Sequence, residues 1–161
     1  MRSLTFMFVP EEFIVPIIYK ADNFIIRKLT VQDTEKDYIA VMEAKDHIHS
    51  LYPEEYTNGW PEDTLTLEQD ERDLRRHQKE FDERTAFAYT VFDEYNENCL
   101  GCLYIDPSDK YDAEITMWTR DEATDKLLYK EVKAWIESSW PFKNPHYPIF
   151  EETGINYEID R

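Results

Sequence analysis

With 161 residues, 42% hydrophobic and 15% aromatic, the chain has the size and apolar content of one domain with its own core. A formal net charge of −17, from 35 acidic and 18 basic residues, excludes the Lys/Arg surfaces on which nucleic acid and anionic lipid are held. That charge fits either a solvated surface that serves solubility or a preference for cationic partners.

No apolar run approaches the ~20 residues that cross a bilayer. Met1 to Val9 is mildly apolar but is stopped by Pro10, Glu11 and Glu12 without a small-residue cleavage site, so the expected location is the cytoplasm. Phe24 to Leu29 (FIIRKL) predicts a short strand. Thr30 and Asp33 then give a helix-start signal. The helix that follows carries Tyr38, Val41, Met42, Lys45, Ile48 and Leu51 at three- and four-residue steps, one apolar face interrupted by a lysine. Pro53, Gly59 and Pro61 make Leu51 to Asp63 a loop. Thr66 with Gln69 is a capping box, and it opens a charged helix to about Arg84 with a narrow stripe of Leu67, Leu74 and Phe81.

Ala86 to Phe92 and Cys99 to Ile105, parted by a polar turn, predict a hairpin, and Ala113 to Arg120 a third strand. In that strand Ala113, Ile115 and Met117 face one way, and Glu114, Thr116 and Trp118 the other. Glu122 to Trp140 has the cleanest helical period, through Leu128, Val132, Trp135 and Ile136, and Pro141 ends it. The tail carries Pro145 and Pro148 and is mostly irregular, with a short strand expected near Ile149.

Cys99 and Cys102 have the spacing of a redox or zinc pair, but residues three apart on a strand face opposite ways and no second pair completes a zinc site. Both read as buried structural cysteines. His47 and His49 lie about 200° apart around a helix and share no ligand face; no metal is expected.

These elements, in this order, resemble the first two-thirds of the GNAT N-acetyltransferase superfamily. The resemblance covers roughly residues 24–140 and is carried by FIIRKLTVQD, by the hairpin AFAYTVFDEYNENCLGCLYI with Gly101 in its second strand, and by DAEITMWTR. It implies an α/β (α+β) domain: a central mixed, mostly antiparallel sheet of five or six strands with about three helices. Residues 1–23 form an N-terminal extension, 24–140 the core and 141–161 the tail of a single domain. It further implies acetyl-CoA as cofactor, held by the backbone of Met117, Trp118, Thr119 and Arg120. Glu114 stands where many members keep an amine-activating carboxylate; it also reads as an exposed strand glutamate beside Trp118. The loop with Tyr56 and Trp60 corresponds to the acceptor groove. An aromatic, acidic groove suits a small amine or other cationic ligand.

The chain departs from the family after this strand. Members continue with Arg or Gln, two residues, Gly, one residue, then Gly or Ala, and the amides at that helix start bind pyrophosphate. Here Arg120 is followed by Asp121, Glu122, Ala123, Thr124 and Asp125, so Ala123 and Asp125 replace the glycines. The three glycines, Gly59, Gly101 and Gly154, all lie elsewhere. Two functions follow: an acyl-CoA-dependent N-acyltransferase with an altered loop, or a non-catalytic member of the fold that binds a small ligand or a protein. Only 21 residues follow Trp140, too few for the usual final strands. The extension supplies a compensating strand from FMFV or FIVPIIY, or else a sheet edge stays open. An open edge, with Phe6, Phe8, Phe13, Ile14, Ile17 and Ile18 beside it, predicts a homodimer.

Overall fold

The apolar alternation of Phe24–Lys28, Phe87–Asp93, Cys99–Asp106 and Ala113–Thr119 appears, in a computed structural model that describes residues 7–151, as four strands of one sheet. They are β2, β3, β4 and β5; β1 (Ile18–Lys20) and β6 (Pro145–His146) complete the sheet. Spatial order equals chain order, and every neighbouring pair is antiparallel except β5 with β6. The sheet is therefore mixed and mostly antiparallel. Three long helices accompany it, α1 (Thr34–Leu51), α3 (Leu67–Asp82) and α4 (Glu122–Ser139), with a single turn α2 (Glu54–Thr57) between the first two.

The helices take both faces. Tyr89 of β3 packs edge-on against Trp135 of α4, and Phe87 lies 5.6 Å from Trp140. On the opposite face Cys102 of β4 reaches Asp37 of α1, and Tyr104 lies 5.4 Å from His77 of α3. Gly101 holds β4 against β5: a Cβ there would stand 1.9 Å from the Trp118 carbonyl oxygen.

The N-terminal extension packs on the core as well as extending the sheet. Phe8 stacks on Phe87 and Phe142, Phe13 meets Trp140, and the Arg84 guanidinium donates to the carbonyls of Pro10 and Phe13. Its FIVPIIY stretch supplies β1, which covers the free side of β2. Phe6 and Gly154 lie outside the described residues.

Four expectations need correction. The buried face of α1 runs through Thr34, Asp37, Ala40, Val41, Ala44 and Ile48, because Asp37 turns inward; Tyr38, Met42, Lys45 and Leu51 are half-buried at its margin. In α3 Leu67 is exposed and Asp70 is buried with Leu74 and Phe81. The loop after α1 holds the helical turn α2. The tail strand falls at Pro145–His146, while Ile149 has a φ of 77° and sits in a turn, its side chain buried with Tyr147 and Phe150.

Candidate functional site

The helices over the β4–β5 face leave a cavity of about 420 Å³ between α1, α3, the α2 loop and the sheet, a volume in the small-ligand range. Sheet and loop both contribute aromatic walls. Trp118 of β5 lies 6.2 Å from Trp60 and donates its indole N–H to the Tyr104 hydroxyl at 3.0 Å. Tyr52, at the end of α1, lies 6.1 Å from Tyr56. The groove residues expected from sequence, Tyr56 and Trp60, are thus brought together, and Trp118 joins them.

The floor is acidic. Asp37 of α1 and Asp70 of α3 are buried and hydrogen-bonded to each other. Burial pushes the Asp70 carboxyl up to about 9, and the Asp37 carboxyl adds to the effect. Asp37 is raised too, chiefly by burial. The Cys102 thiol donates to Asp37 Oδ1 at 3.3 Å, and burial with that negative neighbour holds its pKa far above the thiol range. It is an inert side chain, not a nucleophile. Nearer the mouth, burial and then Glu80 and Glu114 raise Asp106 to about 6. Burial and then Arg76 lower His77 to about 4, so its ring is neutral at pH 7. Among the described residues no three side chains converge as metal ligands.

A second arrangement lies along β5 beyond its short pairing with β6, which ends at Glu114. The Tyr52 hydroxyl donates to the Met117 carbonyl at 2.6 Å and accepts from the Met117 N–H at 3.1 Å. Two residues on, Asp125 Oδ1 accepts from the Thr119 N–H at 3.1 Å and from its hydroxyl at 2.6 Å. Asp125 Oδ2 meets His47 Nε2 at 2.6 Å. Asp121 caps α4 by accepting the Thr124 N–H at 2.8 Å, which holds its carboxyl below the usual range. Arg120 is exposed, 3.5 Å from Glu43. Glu114 shares the cavity-side face of β5 with Thr116 and Trp118 but lies outside the cavity lining, opposite Asp106 and 3.5 Å from His146 Nδ1.

Sequence reasoning missed Asp37, Asp70 and Tyr104 as cavity residues. A signal existed. Asp37 stands four and eleven residues before Val41 and Ile48, and Asp70 four and eleven before Leu74 and Phe81, so each carboxylate occupies a core-facing position of its helix. A charge on such a stripe either breaks the helix or has a reason to be inside.

No protein-family model matches the sequence, and no curated protein matches it either. Solved structures do match. A ribosomal-protein alanine acetyltransferase from Vibrio fischeri is similar with a TM-score of 0.58 at 11% identity, over 75% of this chain and 67% of that one. RimL, a ribosomal alpha-N-protein acetyltransferase in complex with coenzyme A, gives 0.58 at 13%, over the same shares. FdhC, a nucleotide-linked sugar GNAT, gives 0.57 at 13%, over 83% of this chain and 72% of that one. At such identities the likeness is one of architecture, and it agrees with the strand order and helix placement described above: this chain has the GNAT acetyltransferase fold.

Proposed function

We propose that this chain is a non-acetylating member of the GNAT fold that binds a small ligand in the aromatic cavity. The observation that carries this reading is the state of β5 and the start of α4, where the family resemblance puts acetyl-CoA. The Met117 N–H and C=O are taken by the Tyr52 hydroxyl, and the Thr119 N–H by Asp125. A pantetheine chain would have to displace Tyr52. A pyrophosphate would meet Asp121 and Asp125 where the family has an anion-binding helix start, and their charge opposes it. Acetyl-CoA does not fit these residues. The acyltransferase reading with Glu114 as base draws on the fold alone, since Glu114 stands outside the cavity lining. Calorimetric titration with acetyl-CoA is the test. No heat is expected up to millimolar cofactor; micromolar binding would sink the proposal.

We also propose that two copies associate along β1. The short edge strand and the exposed Ile14, Ile17 and Ile18 beside it support this. Light scattering at physiological salt would then give twice the 19.4 kDa of one chain, and a single-chain mass would refute it.

A further inference from the structure

The Asp37–Asp70 pair takes no part in the β5 arrangement, and packing alone gives no reason for it. Asp70 is 1% exposed, lines the cavity, and receives no donor at Oδ2 among the described residues. The Cys102 thiol is a weak donor to Asp37. Two carboxyls buried in contact cannot both ionise without a cation between them, so without such a cation one proton stays on the pair.

We propose that the Asp37–Asp70 pair anchors a small organic ammonium ion in the aromatic cavity, the ion entering as the pair's shared proton leaves. This deepens the ligand-binding reading above and rests on it. The charges balance. Before binding, the pair holds one proton and one negative charge. Afterwards it holds two negative charges against one ammonium group, which donates N–H bonds to both carboxylates, and the proton is in solvent.

Apart from Arg76, and Arg27 paired with Asp33 at 3.3 Å, the charged surroundings are acidic. From the start of α1 the pair faces Asp33. From α3 it faces Asp73, His77 and Glu80, and also Arg76, which is exposed and 3.4 Å from Glu80. From β4 come the un-ionised Cys102 and Tyr104 with Asp106 beyond, and from β5 the uncharged Thr116 and Trp118, with Glu114 past them. His77 adds no positive charge, being neutral down to about pH 4. Trp60, Trp118, Tyr52 and Tyr56 line the cavity, and aromatic rings are partners that favour an organic cation over a hydrated metal ion. The raised carboxyl of Asp70 agrees with a proton that stays until a cation replaces it.

The test uses the full chain with benzylamine as probe and benzyl alcohol as its neutral counterpart. Benzylamine is expected to bind at least about tenfold more tightly than the alcohol, with an association constant rising about tenfold per pH unit between roughly pH 6.5 and 8. Calorimetry in buffers of different ionisation enthalpy should show about one proton released per ligand bound. Asp70→Asn should abolish that release. Trp60→Ala should weaken binding and leave the proton count unchanged. Carbon-13 titration of the native chain's aspartate carboxyls reads the same exchange without any variant: the Asp37 and Asp70 signals should shift to their ionised positions on adding benzylamine. Equal binding of benzyl alcohol, or benzylamine binding without pH dependence, would overturn the cation site and leave the cavity a ligand site. No benzylamine binding at about 10 mM would overturn it outright. Acetyl-CoA binding would instead overturn the reading beneath it.

Discussion

Gly101 stands where β4 passes closest to the backbone of β5, and its neighbour there is a carbonyl oxygen, not a movable side chain. The strand must shift to admit even a methyl group. Gly101→Ala is therefore expected to destabilise the protein by about 3 kcal/mol, the upper part of the range for overpacked sites. For a chain of this length that lowers Tm by roughly 10 °C. A thermal melt checks it, and an unchanged Tm would mean that β5 moves aside freely. Asp125 stands in a different relation to its surroundings. Burial raises its carboxyl, yet Thr119 and His47 bond it on both oxygens, so each polar atom of this buried side chain has a partner.

At the scale of elements, β5 and α4 keep the layout of the GNAT fold. The outer edge of β5 is closed by Tyr52, at the end of α1, and by Asp125 of α4. Restoring the glycine pattern alone, with Ala123→Gly and Asp125→Gly, should leave acetyl-CoA unbound because Tyr52 still holds Met117. Adding Tyr52→Phe should bring binding to a Kd of about 1 mM or tighter, measured by calorimetry. Binding by the double variant would show that Tyr52 is no obstacle. Much of this layout was legible beforehand. The strands from β2 to β5 and the helix α4 announce themselves by period, because each buries one face against a neighbour. β6 did not, since two residues of Pro-His carry no alternation, and α2 is a single turn hidden between Pro53 and Gly59. The family resemblance drew attention to Tyr56 and Trp60, and both line the cavity. The carboxyl floor was not legible, because burying Asp37 and Asp70 runs against the rule by which cores are recognised, and their pairing joins residues 33 positions apart in sequence.

The whole molecule carries a pH dependence with a definite sign. Asp37, Asp70, Asp73, Asp106 and Asp125 are all raised, burial being the first cause for each. A carboxyl raised on folding contributes stability below its unfolded value of 3.8 and loses it as pH climbs through the folded value, about 6 for Asp106 and about 9 for Asp70. Self-repulsion from the net charge of −17 works in the same direction. On the acid side, His77, lowered from 6.5 to about 4, withdraws stability as pH falls across that interval. Asp63, Asp93 and Asp121, all lowered, do the same further down. Tm should therefore peak at about pH 4, where the one histidine and the lowered carboxyls stop offsetting the five raised ones, and should drop by roughly 5–10 °C between pH 6 and 8.5 in melts across that range. A Tm that climbs steadily toward pH 8.5 would contradict it, and Asp70→Asn should flatten the alkaline slope. The Tyr52 hydroxyl on Met117 has a bearing outside ligand binding. β6 pairs with β5 only at Ala113 and Glu114, so from Ile115 onward the strand would present bare donors and acceptors to any other extended chain. By taking both polar groups of Met117, while Asp125 takes the next outward N–H, the protein makes its most template-like strand unreadable to other copies. It thereby guards this open edge against strand-to-strand aggregation.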